Sequence, residues 1–251
     1  MIPNKFKTAL VTPLYKNKGN NEDMNSYRGI SVLPPINKLL EKILASQIKL
    51  YFKTNDLFYK SQHGFMNGKS CETCVHEILN ACIDNFDNDL VSCMLFVDFK
   101  KAFNMVDHKL LLHKLLSYGF GNEAYNLLKS YFTNRGQITK IGLVNSTSNE
   151  LDLGVPQGSV LGPLLFSIFI NDLPTQFMNS VVKLFADDTT IVINGFDLEI
   201  VLKQLKFDIK ILDEWCKHNR LYINWSKTYI MFYSNKRIVW PSCFEYQHAK
   251  I

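Results

Sequence analysis

Long apolar runs are scarce in this chain of 251 residues, and the scarcity already restricts what it can be. The longest nearly unbroken stretch, Val160 to Ile170, has 11 residues and is interrupted by Gly162 and Pro163. A bilayer-crossing helix needs about 20 apolar residues, so no membrane span is expected. No basic segment followed by an apolar one opens the chain, which leaves no visible secretory signal and makes an intracellular setting the expectation. Cysteine is sparse too: six residues, at 71, 74, 82, 93, 216 and 243, without the spacing of a disulfide framework, fit reduced thiols. Cys71 and Cys74 form the one C-x-x-C pair. No second pair supplies the rest of a tetrahedral metal site, so they read as two thiols on one helix face. Glycine and proline, 12 and 8 residues, form no extended Gly/Pro-rich tract, which excludes collagen-like and low-complexity chains.

What is present is the composition of a folded protein, 47% hydrophobic and 20% charged, in a chain long enough to bury roughly 70% of its unfolded surface. Charge is unevenly spread. Residues 1–60 hold ten Lys and Arg against four Asp and Glu, whereas residues 61–251 hold eighteen against nineteen. A basic first quarter suits a phosphate backbone or a triphosphate, although a charge run also serves simply as a solvated face.

Apolar residues at 36, 39, 40, 43, 44, 48, 51 and 52, and again at 75, 78, 79, 82, 83 and 86, have the spacing of helices with one buried stripe. MLFV at 94–97 reads as a central strand, followed by Asp107 as an N-cap, a helix over LLLHKLL and Gly119 as its stop. Further helices are predicted around 122–132 and 198–216, and short strands at Ile138–Val144, Val181–Ala186, Thr189–Ile193 and Tyr229–Tyr233. Helices interleaved with hairpin-like strands predict an α+β sheet with helices on one face, not a doubly wound fold.

Two acidic features stand out. Asp98, in FVDFKKAF at Phe96–Phe103, follows a central apolar strand, where a carboxylate is costly to desolvate unless a cation or hydrogen-bond donors hold it. The plain alternative is a strand-end cap. FADD, Phe185–Asp188, sits between two apolar strand candidates, where Asp is also an ordinary turn residue. Together, one acid at a strand end and two at a hairpin tip can converge, and oxygen-only clusters with open positions suit Mg²⁺ with substrate phosphates.

The order FVDFKKAF, GVPQGSVLGP at Gly154–Pro163, FADD, then NWSKTYIM at Asn224–Met231 resembles the palm of a reverse transcriptase of the non-LTR, LINE-like retrotransposon kind. YRGISVLP at Tyr27–Pro34, KLLEKIL at Lys38–Leu44 and SQHGFMNGKS at Ser61–Ser70 are similar to that family's fingers motifs. The resemblance covers about residues 8–234. It implies a right-hand polymerase with fingers near 1–90, a palm at 91–234 that has an antiparallel sheet backed by helices and can interleave with fingers elements, and a tail at 235–251 that starts a largely missing thumb.

The implied reaction is RNA-templated DNA synthesis from dNTPs onto a primer 3′-hydroxyl, with two Mg²⁺ or Mn²⁺ ions. Asp98 and Asp187 would be metal ligands, with Asp188 contributing less directly and the Phe99 carbonyl as a further oxygen. Phe103 would be the aromatic gate against a ribose 2′-hydroxyl, which disfavours an RNA-dependent RNA polymerase; otherwise it is a core aromatic. Gln157 and Gly158 would meet nucleotide or template. Lys227 would act on the pyrophosphate, Arg28 would grip the triphosphate as a bidentate guanidinium, and Lys69 and Lys38 are weaker phosphate candidates.

Three departures from the family pattern are Met66 where arginine is usual, Asn104 where aspartate often follows the gate, and Gly29 where proline is common. No endonuclease domain is visible, so a catalytically silent nucleic-acid-binding remnant is the alternative. A nuclear setting is implied by the resemblance alone.

Overall fold

The computed structural model describes residues 2–3, 6–246 and 249–250. The first half of the chain forms β1 (Thr8–Tyr15), β2 (Tyr27–Val32), α1 (Pro35–Thr54), α2 (Cys71–Asp87), β3 (Val91–Val97), α3 (His108–Ser117) and α4 (Asn122–Phe132). It continues with β4 (Gly136–Ile141), β5 (Val144–Asn145), β6 (Asn149–Glu150), α5 (Leu161–Phe169), β7 (Val181–Phe185), β8 (Asp188–Gly195), α6 (Leu198–Asn219), β9 (Tyr229–Tyr233), β10 (Glu245–Tyr246) and β11 (Ala249–Lys250). The α+β class expected from the hydrophobic spacing holds. No described helix is long and apolar enough to cross a membrane.

Contacts divide the molecule into two units that alternate along the chain, one ending at Leu57 and resuming over Phe103–Phe169, the other formed by Phe58–Ala102 and the described residues from Ile170 onward.

In the first unit, β1 pairs antiparallel with β2, Thr12 opposite Ile30, and parallel with β4, Leu10 opposite Ile138. These first two strands are not legible in the sequence because Pro13 and Gly29 break the pattern. Pro13 is accommodated beyond Val11, where the pairing with β4 stops and one side of β1 no longer needs a donor. Helix α5 packs against α1 and α3, burying Leu161, Leu164, Leu165 and Ile168 completely. Asp107 caps α3 as expected, its Oδ1 accepting from the amides of Lys109 and Leu110 at 2.8 and 3.0 Å.

The buried stripe of α1 is rotated from the expected one. Asn37, Glu41, Leu44, Ala45, Ile48 and Phe52 face inward, while Ile36, Leu39 and Ile43 face solvent. Polar chemistry causes the rotation. The fully buried Glu41 carboxylate accepts from the Tyr131 hydroxyl at 2.6 Å and, through Oε2, from the amides of Val160 at 2.8 Å and Leu161 at 3.4 Å. An anion at the start of α5 satisfies orphan amides and the positive end of the helix dipole together.

The second unit is built on a four-stranded antiparallel sheet in the order β7-β8-β3-β9. Its register puts Val97 opposite Thr189 and Phe96 opposite Tyr229. Because side chains alternate, Cys93, Leu95, Val182, Leu184, Ile191 and Ile193 share one face, and all six are fully buried. Helix α6 covers this face: its Asp208 acts electrostatically on Cys93.

The other face carries α2, which the expectation of helices on one face did not foresee. Lys183 of β7 pairs with Glu77 at 2.6 Å, and Asn85 bonds Asn194 of β8 and the Tyr233 hydroxyl of β9. Those polar contacts turn Glu77 and Asn85 toward the sheet and leave Val75, Leu79, Ile83 and Phe86, the stripe expected to be buried, exposed. Covered on both sides, β3 reads as a continuous apolar run.

Replacing Glu41 with alanine leaves a buried hydroxyl and two helix-start amides without their acceptor. The expected loss is about 2–4 kcal/mol of unfolding free energy, measured by denaturant titration.

Candidate active site

The acidic residues meet at one end of the β7-β8-β3-β9 sheet. Phe185 pairs with Asp188, so Ala186 and Asp187 form a two-residue hairpin loop, and Ala186 takes a positive φ of 56°. A positive φ at the first loop position alone is the pattern of a type II′ turn, whose twist matches that of paired strands.

Asp98 immediately follows the Val97–Thr189 pair, on the face that Phe96 and Met94 share and to which Asp188 also belongs by alternation. The chain stays extended past β3: the Asn224 amide donates to the Asp98 carbonyl at 2.8 Å, the Lys100 amide to the Tyr222 carbonyl at 2.8 Å, and Phe99 bridges Ile223. Asn224 also donates its side-chain amide to Asp98 Oδ2 at 2.6 Å. Phe99 is itself buried, which leaves its carbonyl as the group with ligand chemistry.

Electrostatics report the convergence. Asp188 is held above the usual carboxylate range by burial first, then by the negative charges of Asp187 and Asp98. Its side chain still reaches solvent, so the effect is screened and modest. Among the described residues, no group of three or more His, Cys, Asp or Glu closes into an ion cage of its own. The acids instead form an open, oxygen-only set. Such a set suits a hard cation that keeps water and phosphate ligands.

In the first unit, the loop Gly154–Gly158 is stitched to the segment around Phe103. The Val155 amide donates to the Phe103 carbonyl at 2.8 Å, and Gln157 Nε2 donates to Asn104 Oδ1 at 2.8 Å. Gly154 and Gly158 take φ of +85° and +103°, and a Cβ at either would press on backbone, of Asn104 and Ser31 respectively, at 2.9 Å. Both positions therefore require glycine. Phe103 stacks on the fully buried Phe166, ring centroids 4.5 Å apart, which fixes its ring. A cavity of about 450 Å³ is lined by Gly29, Ser31, Asn104, Arg135 and Gln157 among others. Arg28 lies exposed on β2 opposite Leu14, and Lys38 is exposed at the start of α1.

A sequence profile described as "Reverse transcriptase (RNA-dependent DNA polymerase)" matches residues 15–247. The chain belongs to the reverse transcriptase family. It is 30% identical over 234 residues to "Probable RNA-directed DNA polymerase from transposon BS" of Drosophila melanogaster, covering 90% of this chain and 26% of that protein. It is 25% identical over 242 residues to "RNA-directed DNA polymerase from mobile element jockey" of the same organism, covering 94% and 26%. The chain thus spans about a quarter of the length of these relatives. Among solved structures, apo telomerase from Candida Tropicalis truncated from its C-terminal domain shares the fold with a TM-score of 0.68 at 14% identity, over 98% of this chain and 53% of that one. The same telomerase with a fragment of telomeric RNA gives 0.66 at 12% identity, over 92% and 42%. The fingers-and-palm fold and the non-LTR resemblance expected from the motifs are borne out.

Among the departures from the family pattern, Asn104 acquires an explanation. Asn104, in place of the usual aspartate, keeps an acceptor oxygen for Gln157. Lys69 does not reach outward from the Met66 loop; its ammonium is bound to the Lys60 carbonyl. Lys227 is exposed at the end of a short turn, Trp225–Lys227, rooted on Asn224 by a 2.9 Å bond between the Lys227 amide and the Asn224 carbonyl. Three residues carry parts of the site that the sequence reading left without a role. Asn224 holds Asp98, Glu41 holds the start of α5 beyond Gln157, and His108 donates from Nε2 to the Gly154 carbonyl at 2.7 Å. Burial pushes His108 below the usual histidine range and keeps it neutral. The available signal for Glu41 was an acid spaced four residues from both Asn37 and Ala45 on a largely apolar helix.

Asp188→Asn removes the repulsion and is expected to raise the thermal midpoint of the metal-free protein at neutral pH by about a degree or two. A folded pKa above the unfolded one costs stability as pH rises through that interval. The variant's advantage should therefore shrink on acidification and vanish below the ordinary carboxylate range, as followed by thermal melts across pH.

Proposed function

We propose that this chain is the polymerising domain of a retrotransposon reverse transcriptase, extending a DNA primer on an RNA template with dNTPs. The observation that carries the reading is the approach of Asp98, Asp187 and Asp188 at the open end of an antiparallel palm sheet in a member of this family. The oxygen-only donor set fits Mg²⁺ or Mn²⁺. Asp98 and Asp187 would hold two such ions, with Asp188 and the Phe99 carbonyl as further oxygens. When bound, the ions supply positive charge that acidifies the attacking 3′-hydroxyl and offsets charge on the pyrophosphate leaving group.

The remaining chemistry falls to the chain's own side chains. Asn224 keeps the Asp98 carboxylate from turning away by binding Oδ2, and its amide bond to the Asp98 carbonyl fixes the backbone beneath it. Lys227, exposed three residues on, would act on the pyrophosphate oxygen. The Phe103 ring, braced by Phe166, would exclude a 2′-hydroxyl by bulk. Gln157, its amide oriented by Asn104, would meet the nucleotide or template, with the Gly158 backbone open for close approach. Arg28 on β2 and Lys69 would add phosphate contacts, Lys69 only after release from the Lys60 carbonyl. Ten basic residues within the first sixty would bind the template-primer backbone, with affinity falling as salt rises.

Primer extension on an RNA template with Mg²⁺ and dNTPs tests the reading. Asp187→Ala is expected to reduce incorporation by about 10³-fold or more. Salt-sensitive RNA binding with no extension by the wild-type chain would overturn the catalytic assignment. In the same assay, Phe103→Ala is expected to narrow the preference for dNTPs over ribonucleotides by about 10- to 100-fold; an unchanged ratio would remove Phe103 from its role.

A further inference from the structure

We infer that Gln62 is a positioning residue that sets the direction of the Asp187 carboxylate by holding the backbone of the acidic turn, an inference that rests on the proposed role of Asp187. The segment Ser61–Gly64 runs alongside β7. The Leu184 amide donates to the Ser61 carbonyl at 3.0 Å, the His63 amide donates to the Leu184 carbonyl at 2.8 Å, and Gln62 bridges Leu184 in parallel register.

From this line the buried Gln62 side chain, 1% exposed, reaches the hairpin tip. Its Oε1 accepts from the Gly64 amide at 2.7 Å and from the Ala186 amide at 3.3 Å. Both partners are donors, which identifies the oxygen end of the side-chain amide. The Nε2 end is left buried with no partner. A glutamine that forgoes its own donor bonds to receive two backbone amides is placed for those amides.

Ala186 is the critical neighbour. It is buried, precedes Asp187, and takes a left-handed φ of 56° that residues with a β-carbon adopt at a cost. As the first residue of a two-residue hairpin loop, it has no ladder partner for its amide, and Gln62 is the acceptor that satisfies it. Gly64 completes the clamp: a Cβ there would overlap the Ala186 backbone nitrogen, so the approach demands a residue without a side chain.

Behind the clamp, the segment is anchored to α2 and β7. His63 Nδ1 lies 2.8 Å from the Thr73 hydroxyl and Nε2 lies 3.3 Å from Glu77. Lys183 joins Glu77 at 2.6 Å to the Ser61 hydroxyl at 3.2 Å. Tension on the turn is thereby resisted by a fixed support. Loss of the Gln62 acceptor frees the Phe185–Ala186 peptide to rotate, and the carboxylate on the next residue moves with it.

The test uses the full chain and four variants: Gln62→Leu, without an acceptor; Gln62→Asn, whose acceptor falls short by one methylene; Gln62→Glu, which keeps the acceptor; and Gly64→Ala. Melting curves establish folding. Amide hydrogen exchange read at Ala186 is expected to quicken about tenfold or more in the Leu, Asn and Ala variants and to stay near wild type in Gln62→Glu, with Val182 and Ile191 unchanged in all. Mn²⁺ binding to the protein alone, followed by electron paramagnetic resonance, is expected to weaken about 5- to 10-fold in the same three variants. In primer extension, kcat should fall with KM for the dNTP unchanged.

Unchanged Ala186 exchange in folded Gln62→Leu or Gln62→Asn would overturn the inference. So would acceleration spread evenly through β7 and β8, the mark of a merely structural role. If the wild-type chain extends no primer, the proposed function fails, while exchange and Mn²⁺ binding still decide the positioning role. If Gln62→Leu does not fold, Gln62→Asn and Gln62→Glu decide it.

Discussion

The pairing register of β3 is the constraint on which the candidate chemistry depends. With Val97 opposite Thr189, Asp98 and Asp188 emerge past the last pair on the partly open face. The opposite face, through Cys93, Leu95, Ile191 and Ile193, is completely closed. A slip of one residue would exchange the faces of the moved strand and drive a carboxylate toward α6 and the buried Asp208, whose own carboxylate is already held by Ser180 and Gln204. The apolar alternation thus fixes where the acids stand, before any hydrogen bond refines their direction. Asn224 then holds Asp98 from the β9 side.

Much of this was readable beforehand, and the reason is physical. Helices α3, α4 and α6 carry unambiguous 3.6-residue spacing with caps at Asp107 and Asp197. The motif order locates the acids because catalytic chemistry tolerates few side-chain types. The failures have a common cause: polar residues overrode the apolar stripe. On α1, burying Glu41 and Asn37 rotated the helix until Ile36, Leu39 and Ile43 met water. On α2, the Glu77–Lys183 pair and the Asn85 bonds did the same to Val75, Leu79 and Ile83. A moment computed from hydrophobicity alone points such helices the wrong way, because a satisfied buried polar group competes with apolar burial.

The supporting shell was harder to read than the acids because it is made largely of backbone. Gly154, Gly158 and Gly64 matter for what they omit. Gln62, Asn224 and His108 matter because each engages a main-chain group, and such contacts leave no pattern in charge or hydropathy. Two independent segments, Ser61–Gly64 and Tyr222–Asn224, flank the acids, one at the β7 edge and the other at the β9 edge. Both are irregular chain pressed against strand ends, where loops held by a rigid scaffold commonly carry function.

The alternation of the two units along the chain carries a consequence for biosynthesis. A ribosome that has released α1 and α2 has completed neither core, since Glu41 waits for Tyr131 and Val160, and β3 waits for β8 and β9, whose pairing with it ends at Tyr233. Closing such distant partners is entropically slow, and meanwhile the apolar strand Val91–Val97 has no neighbour to cover it. The nascent chain therefore passes through a long interval with an apolar sheet edge exposed, the condition under which partly folded chains are prone to aggregate.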